Sequence, residues 1–163
     1  MPTLTAAVIV VSSEVAAGLR EDRTGPVAVD VLAAHEVRAA LQVTGDDPTA
    51  IAEAVRGAVV AGHRVVVTVG GTGIGPTDVT PAAVAGLLTY EIPGIAEEIR
   101  RRGVSTTAIS LVSRGVAGVM VQPGRRSTFV VTVPGSRGGV RDAVGVVGPL
   151  LRYIIKQLDG DRH

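Results

Sequence analysis

The chain has 163 residues, the size of one ordinary domain, and 46% of them are hydrophobic against 19% charged, which excludes a disordered, acidic or coiled-coil chain. Lys and Arg number 16 against 15 Asp and Glu, a net charge of +1 that is too balanced for a protein coating nucleic acid. Aromatics are only 2%, so few rings are available to stack bases, and the core must be built from Val, Ala, Leu and Ile.

Residues 5–11 (TAAVIVV) form a short continuous apolar run, the pattern of a strand buried on both faces. A polar stretch over residues 12–25 follows, long for a mere connection. Pro26 opens a helix whose apolar face carries Val27, Val31 and Leu32. Val37, Ala39, Leu41 and Val43 then alternate with the period of a strand. The turn Gly45-Asp46-Asp47-Pro48 leads into a helix with Ile51, Val55, Ala58 and Val59 on one side. Residues 64–69 (RVVVTV) give the clearest strand and run straight into a glycine loop over 70–78. Thr80 and Pro81 suit the N-cap and first residue of a helix, and a second helix starts at Pro93 and stops at Gly103. Two further strands are expected around 107–112 and 128–133, and Val140, Val144, Val147, Leu151, Ile154 and Leu158 predict one long amphipathic helix over 140–158. Strands alternating with helices imply a three-layer α/β/α domain with a mostly parallel central sheet, and no linker divides residues 1–163.

Cysteine and asparagine are absent, which removes disulfides, thiolate chemistry and N-glycosylation. His35, His63 and His163 are scattered without metal-ligand spacing. The first apolar run is too short for a membrane span or a signal-peptide core, so a cytoplasmic protein with no membrane or nucleic-acid partner is expected.

In an open α/β sheet, ligands bind beyond the carboxyl ends of the strands. Three segments should meet there: the loop after the first strand, the glycine loop, and Pro134-Gly135-Ser136 after the last strand. Glycines let backbone N–H groups approach an anion closely. The glycine loop has no Lys and does not fit a P-loop, and Pro76 stands where a dinucleotide fingerprint needs its third glycine. Gly135-Ser136-Arg137-Gly138 is not a GxSxG nucleophile elbow either.

The stretch Gly70-Gly71-Thr72-Gly73-Ile74-Gly75-Pro76-Thr77-Asp78-Val79-Thr80-Pro81 resembles the GGTG…DVTPE loop of the MogA/MoaB family of molybdenum-cofactor biosynthesis proteins. Residues 92–100 (IPGIAEEIR), 112–118 (VSRGVAG), 133–136 (VPGS) and 18–26 (GLREDRTGP) are similar, in order, to further motifs of that family. Departures are Glu14 after Ser13 where the family commonly has Asp, Ala82 where Glu often follows Thr-Pro, and Arg137 in place of a proline.

The resemblance implies a molybdopterin adenylyltransferase, a nucleotidyltransferase that moves AMP from ATP to the terminal phosphate of molybdopterin with Mg²⁺. It also leaves open a MoaB-like protein that binds the pterin or nucleotide with little or no transfer, and it implies a homotrimer. Such chemistry needs charge neutralisation and in-line positioning rather than a strong base. Mg²⁺ takes one or two carboxylates besides water and phosphate, and by resemblance these are Asp46 and Asp78, with Asp47 one residue away as the competing choice for the first. Glu97 fits the family's acidic position on the short helix, beside Glu98 as a solvated neighbour. Gly70, Gly71, Thr72 and Gly73 are expected around ATP, and Ser13, Ser113, Pro134, Gly135 and Ser136 around the pterin. The run Arg100-Arg101-Arg102 reads as a solvated helix end.

Overall fold

The computed structural model describes residues 2–161, so His163 lies outside the described residues. In chain order the elements are β1 (Leu4–Val11), α1 (Ser13–Ala16), α2 (Gly25–Ala34), β2 (Val37–Thr44), α3 (Pro48–Val60), β3 (Val65–Val69), α4 (Thr80–Ala85), β4 (Tyr90–Glu91), α5 (Pro93–Val104), a 3₁₀ segment (Ala108–Val112), β5 (Ala117–Met120), β6 (Thr128–Val133), α6 (Arg137–Val147), a second 3₁₀ segment (Gly148–Leu150) and α7 (Leu151–Leu158). Among the described residues the six strands form one sheet in the order β2-β1-β3-β6-β5-β4. The pairs β2–β1, β1–β3 and β3–β6 are parallel, while β5 runs antiparallel to β6 and β4 antiparallel to β5.

Every residue of β3 and β6 is buried, and in β1 only Thr5 is not, which is why these strands read as unbroken apolar runs rather than alternating ones. One face of the sheet packs Val8, Val67 and Val131 against α2, α5, α6 and α7. The other packs Ile9, Val66 and Val130 against Ile51 and Val55 of α3 and Val84 of α4. These two faces complete the α/β/α sandwich. With one Phe in the chain, Phe129 is the largest fully buried side chain and valines fill most of the rest. On the edge strand β2, only Val37 is buried, and Leu41 and Val43 stay exposed opposite Val8 and Val10 because no further strand flanks them.

Four expectations are corrected. Residues 107–112 are not a strand: Thr107 Oγ1 accepts from Ile109 N at 3.3 Å and starts a 3₁₀ turn with no buried residue. The strand lies at Ala117–Met120, where Gly118 is required because a Cβ would collide with Tyr90 O across the β4–β5 pair. The long C-terminal helix is two helices. Pro149 cannot donate to the ladder, and Gly148, pressed against the His35 ring, has no room for a side chain. At α4, Val79 is the N-cap and Thr80 is already helical, while α5 runs one residue past Gly103.

Candidate functional site

The parallel strands β1, β2, β3 and β6 end at one edge of the sheet, and the loops beyond them are tied together by short hydrogen bonds. After β1, Ser12 N donates to Thr44 O at 2.9 Å, and Ser12 Oγ accepts from Val15 N at 3.2 Å to start α1. Ser13 and Asp46 then exchange two bonds: Ser13 N donates to Asp46 Oδ2 at 3.0 Å, and Asp46 N donates to Ser13 Oγ at 2.9 Å. The adjacent aspartate has a different task. Asp47, in extended backbone, accepts from Ala50 N at 2.8 Å and caps α3. Thus Asp46 is half-buried at the edge of the sheet and Asp47 belongs to the helix.

The glycine loop after β3 approaches its neighbours so closely that side chains are excluded. Gly70 has φ +99°, and a Cβ there would come within 2.9 Å of Val11 O. Gly71 has φ +68°, and its Cβ would collide with Thr80 Oγ1, a buried hydroxyl without a hydrogen-bond partner. Gly135 lies against Gly70, with a Cβ only 3.2 Å from the Gly70 Cα, and Gly70 N donates to Val133 O at 3.0 Å. The ends of β3 and β6 therefore present adjoining bare backbone. Further along, Asp78 Oδ2 accepts from Gly75 N at 2.9 Å and fills the space where Gly73 lacks a side chain. Thr72 is buried, and its carbonyl accepts from Arg114 N at 2.8 Å.

Beside this backbone lies an open cavity of about 660 Å³. Its walls bring together Asp46, Gly70, Gly71 and Gly135, expected from the sequence as site residues, with residues that the sequence marked only as family-like or as departures: Glu14, then Arg20, Glu21, Asp22 and Arg23 of the stretch 18–26, and Arg137 from α6. The signals for the first loop were its unusual polar length and the resemblance of residues 18–26 to a family motif; nothing in the spacing marks which of its side chains face the cavity. Arg20 pairs with Glu14 at 3.3 Å and Arg23 with Glu21 at 3.9 Å, both at the surface. Asp22 Oδ1 accepts from Thr24 N at 3.1 Å and Gly25 N at 2.9 Å, bending the loop into α2, while its Oδ2 is buried without a partner.

The remaining expected residues fall around this cavity rather than on its wall. Asp78 is half-buried within its own loop, and Thr72, Gly73, Ser113, Pro134 and Ser136 border the same sheet edge without lining the cavity. Ser113 Oγ accepts from Gly115 N at 3.3 Å, and Ser136 Oγ accepts from Gly139 N at 3.0 Å as the N-cap of α6. Glu97 is exposed on α5 and does not join the cavity. Its neighbour Glu98 pairs with Arg101, whose hydrogen bonds hold that carboxyl below its ordinary pKa. Arg100 is not a solvated helix end: its Nη1 donates to Gly115 O at 2.9 Å and Ser113 O at 3.4 Å, holding the segment whose Arg114 N bonds the glycine loop.

No group of three or more His, Cys, Asp or Glu poised to hold a metal exists among the described residues. That donor set does not fit a protein cage, but it fits Mg²⁺ carried by phosphates, which needs only one or two carboxylate oxygens from the protein.

A family model described as a probable molybdopterin binding domain matches residues 7–153. The chain is 36% identical over 159 residues to a molybdenum cofactor biosynthesis bifunctional protein of Synechococcus elongatus, covering 97% of this chain and 48% of that protein, so it spans about half the length of that relative. It is 29% identical over 150 residues to the molybdopterin adenylyltransferase of Pyrococcus furiosus, covering 91% of this chain and 88% of the relative. Among solved structures, a MogA superimposes with a TM-score of 0.86 at 42% identity, covering 94% of this chain and 99% of that one. Among the described residues, no helix is long and apolar enough to cross a membrane. Motif order, sheet topology and these matches agree, and the chain belongs to the MogA/MoaB family of molybdenum-cofactor biosynthesis proteins.

Proposed function

We propose that this domain is a molybdopterin adenylyltransferase, taking Mg-ATP and molybdopterin as substrates. The observation that carries the reading is the meeting of a half-buried carboxylate, Asp46, with the side-chain-free backbone of Gly70, Gly71 and Gly135 on one open cavity. A terminal phosphate oxygen of molybdopterin attacks the α-phosphorus of ATP. The new P–O–P bond forms as the bond from the α-phosphorus to the bridging oxygen breaks, and pyrophosphate leaves with that oxygen. The attacking phosphate is largely ionised near neutral pH, since its second pKa is about 6, so the absence of a histidine in the cavity is no obstacle. Mg²⁺, when bound, supplies charge neutralisation between the two polyanions, and Asp46 and Asp78 are the residues that would hold it. The backbone amides around Gly70 to Gly73 receive the ATP phosphates, and the Pro134-Gly135-Ser136 turn, with Ser13 and Ser113, receives the pterin.

Incubation of the protein with molybdopterin, Mg²⁺ and ATP should release pyrophosphate in proportion to adenylylated product. Binding of both ligands without release would favour a second reading, a MoaB-like carrier. That reading draws on the position of Asp78 and Glu97 outside the cavity wall. We further propose a homotrimer. Ile109 and Leu111, 75% and 68% exposed, stand beside Val112 and Val104 as an apolar surface suited to another copy of the chain. A monodisperse monomer in light scattering would remove this assembly.

A further inference from the structure

The cavity carries three guanidinium groups, and they are not equivalent. Arg20 and Arg23 each face a carboxylate at the surface, Glu14 of α1 at 3.3 Å and Glu21 at 3.9 Å. Asp22 Oδ1 and Asp46 Oδ2 accept from backbone N–H groups, and Asp22 Oδ2 is buried without a partner among the described residues. Arg137, the first residue of α6, has no hydrogen-bond or ion-pair partner among the described residues. It stands directly after the turn whose Gly135 adjoins Gly70, so an unpaired guanidinium borders a patch of bare backbone. A planar fork of N–H donors beside glycine backbone that no side chain covers is suited to the oxygens of a phosphate, which Arg binds in bidentate fashion.

We propose that Arg137 is the phosphate-selecting residue of this cavity, gripping the terminal phosphate group of its ligand. The proposal rests on the reading of the cavity as a substrate site and deepens it by naming the ligand chemistry, a phosphate monoester or phosphoanhydride. Charge selection here comes from one side chain that can be removed without disturbing the helix. Ser136 has φ −111° and ψ 152°, the backbone favoured before proline, and position 137 is the first helical residue, where proline is well tolerated. Arg137→Pro therefore deletes the charge and keeps the fold.

The test is isothermal titration of the full chain, wild type, Arg137→Pro, Arg137→Gln and Arg137→Lys, with pyrophosphate, ATP, adenosine and molybdopterin in the presence of Mg²⁺. Thermal melts check that each variant is folded. Loss of about tenfold or more in affinity for the phosphate-bearing ligands, partial recovery with Lys, and unchanged weak binding of adenosine support the proposal. A loss confined to molybdopterin assigns the grip to the pterin's phosphate, and one confined to ATP and pyrophosphate assigns it to the nucleotide. Unchanged affinities in folded Arg137→Pro overturn it, as does a loss that adenosine shares, or a wild type that binds none of the phosphates. Wild-type binding of pyrophosphate alone, lost in Arg137→Pro, would remove the adenylyltransferase reading and leave the phosphate grip standing.

Discussion

The two ends of the parallel sheet treat charge in opposite ways. At the amino end, Arg64 leads into β3 with its side chain nearly buried, donating from Nε to Ser127 O at 2.9 Å and from Nη1 and Nη2 to Asp159 at 3.2 and 2.7 Å. Arg126 adds a bond to the same carboxylate at 2.8 Å. The charges of Arg64, Arg126 and Asp159 are answered within this cluster, which ties the end of α7 to the sheet. At the carboxyl end, among the described residues, Asp46 is held only by Ser13 and Arg137 is unpaired, and glycines keep side chains off the loop backbone. Charges that neutralise one another serve stability; charges left open around a cavity are available to a ligand. The comparison makes a sharp demand: a carboxylate removed at one end should affect turnover, and at the other end folding.

The largest effect is expected from Asp46→Asn. The amide oxygen still accepts from Ser13 N, so the loop should hold, but the charge is gone. Under the proposed reaction, pyrophosphate release should fall about a hundredfold or more with the melting temperature nearly unchanged. Asp78→Asn should act in the same way, again keeping the Gly75 N bond. Full activity in either folded variant would strike that residue from the catalytic set.

At the opposite end, Asp159→Ala should leave turnover intact and cost about 2 kcal/mol of stability, because it strands a nearly buried Arg64. The hydrogen bond from Arg64, with the charges of Arg64 and Arg126, holds the Asp159 carboxyl below its ordinary pKa, against the opposing effect of burial. Its stabilisation is therefore complete above the ordinary carboxylate range near pH ~4 and is lost as pH falls through the lowered value. Denaturant titrations of wild type should lose stability on this acid limb, and those of Asp159→Asn should be flatter there. An identical acid slope in both would mean that other carboxylates carry it.

What was legible in the sequence was period and punctuation. The buried strands and the Ile51, Val55, Ala58, Val59 face of α3 follow directly from apolar spacing. The two strands on the far edge were not legible, because β4 has only two residues and β5 contains Gly118, whose reason is contact with Tyr90 O rather than local preference. At the site, the glycine loop announced itself, but which of two adjacent aspartates caps α3 depends on the backbone angles of Asp47. Arg100 was hidden in a run of three arginines, since only the tertiary fold distinguishes the one that reaches Ser113 O and Gly115 O. Arg137 showed as a departure from the family pattern, whereas its lack of a partner needed the structure.

A smaller effect tests how far the open end depends on bare backbone. Gly71→Ala meets two obstacles, a left-handed φ of +68° and the Thr80 hydroxyl. The first costs about 1 kcal/mol wherever a side chain is present. The second is removable, so Gly71→Ala combined with Thr80→Ala should recover part of the lost stability. Affinity for ATP should fall more than affinity for molybdopterin in both variants, by titration. Equal losses would show that the two ligands do not divide the cavity between the glycine loop and the turn after β6.

The smallest expected effect comes from Ser136, and there stability and binding can be separated. Its hydroxyl accepts from Gly139 N, so Ser136→Ala should destabilise the protein by about 1 kcal/mol as a lost N-cap, whatever it does to ligand. Any weakening of molybdopterin binding in that variant would mix a lost contact with a frayed start to α6. Ser136→Asp resolves the mixture, because aspartate caps a helix as well as serine does and favours the helix N-terminus electrostatically. It should restore the melting temperature while placing a negative charge directly before Arg137, the exposed first residue of α6. If the turn receives an anionic ligand, Ser136→Asp should bind molybdopterin more weakly than Ser136→Ala although it is the more stable protein. Affinities that simply follow the melting temperatures would assign Ser136 to the helix alone.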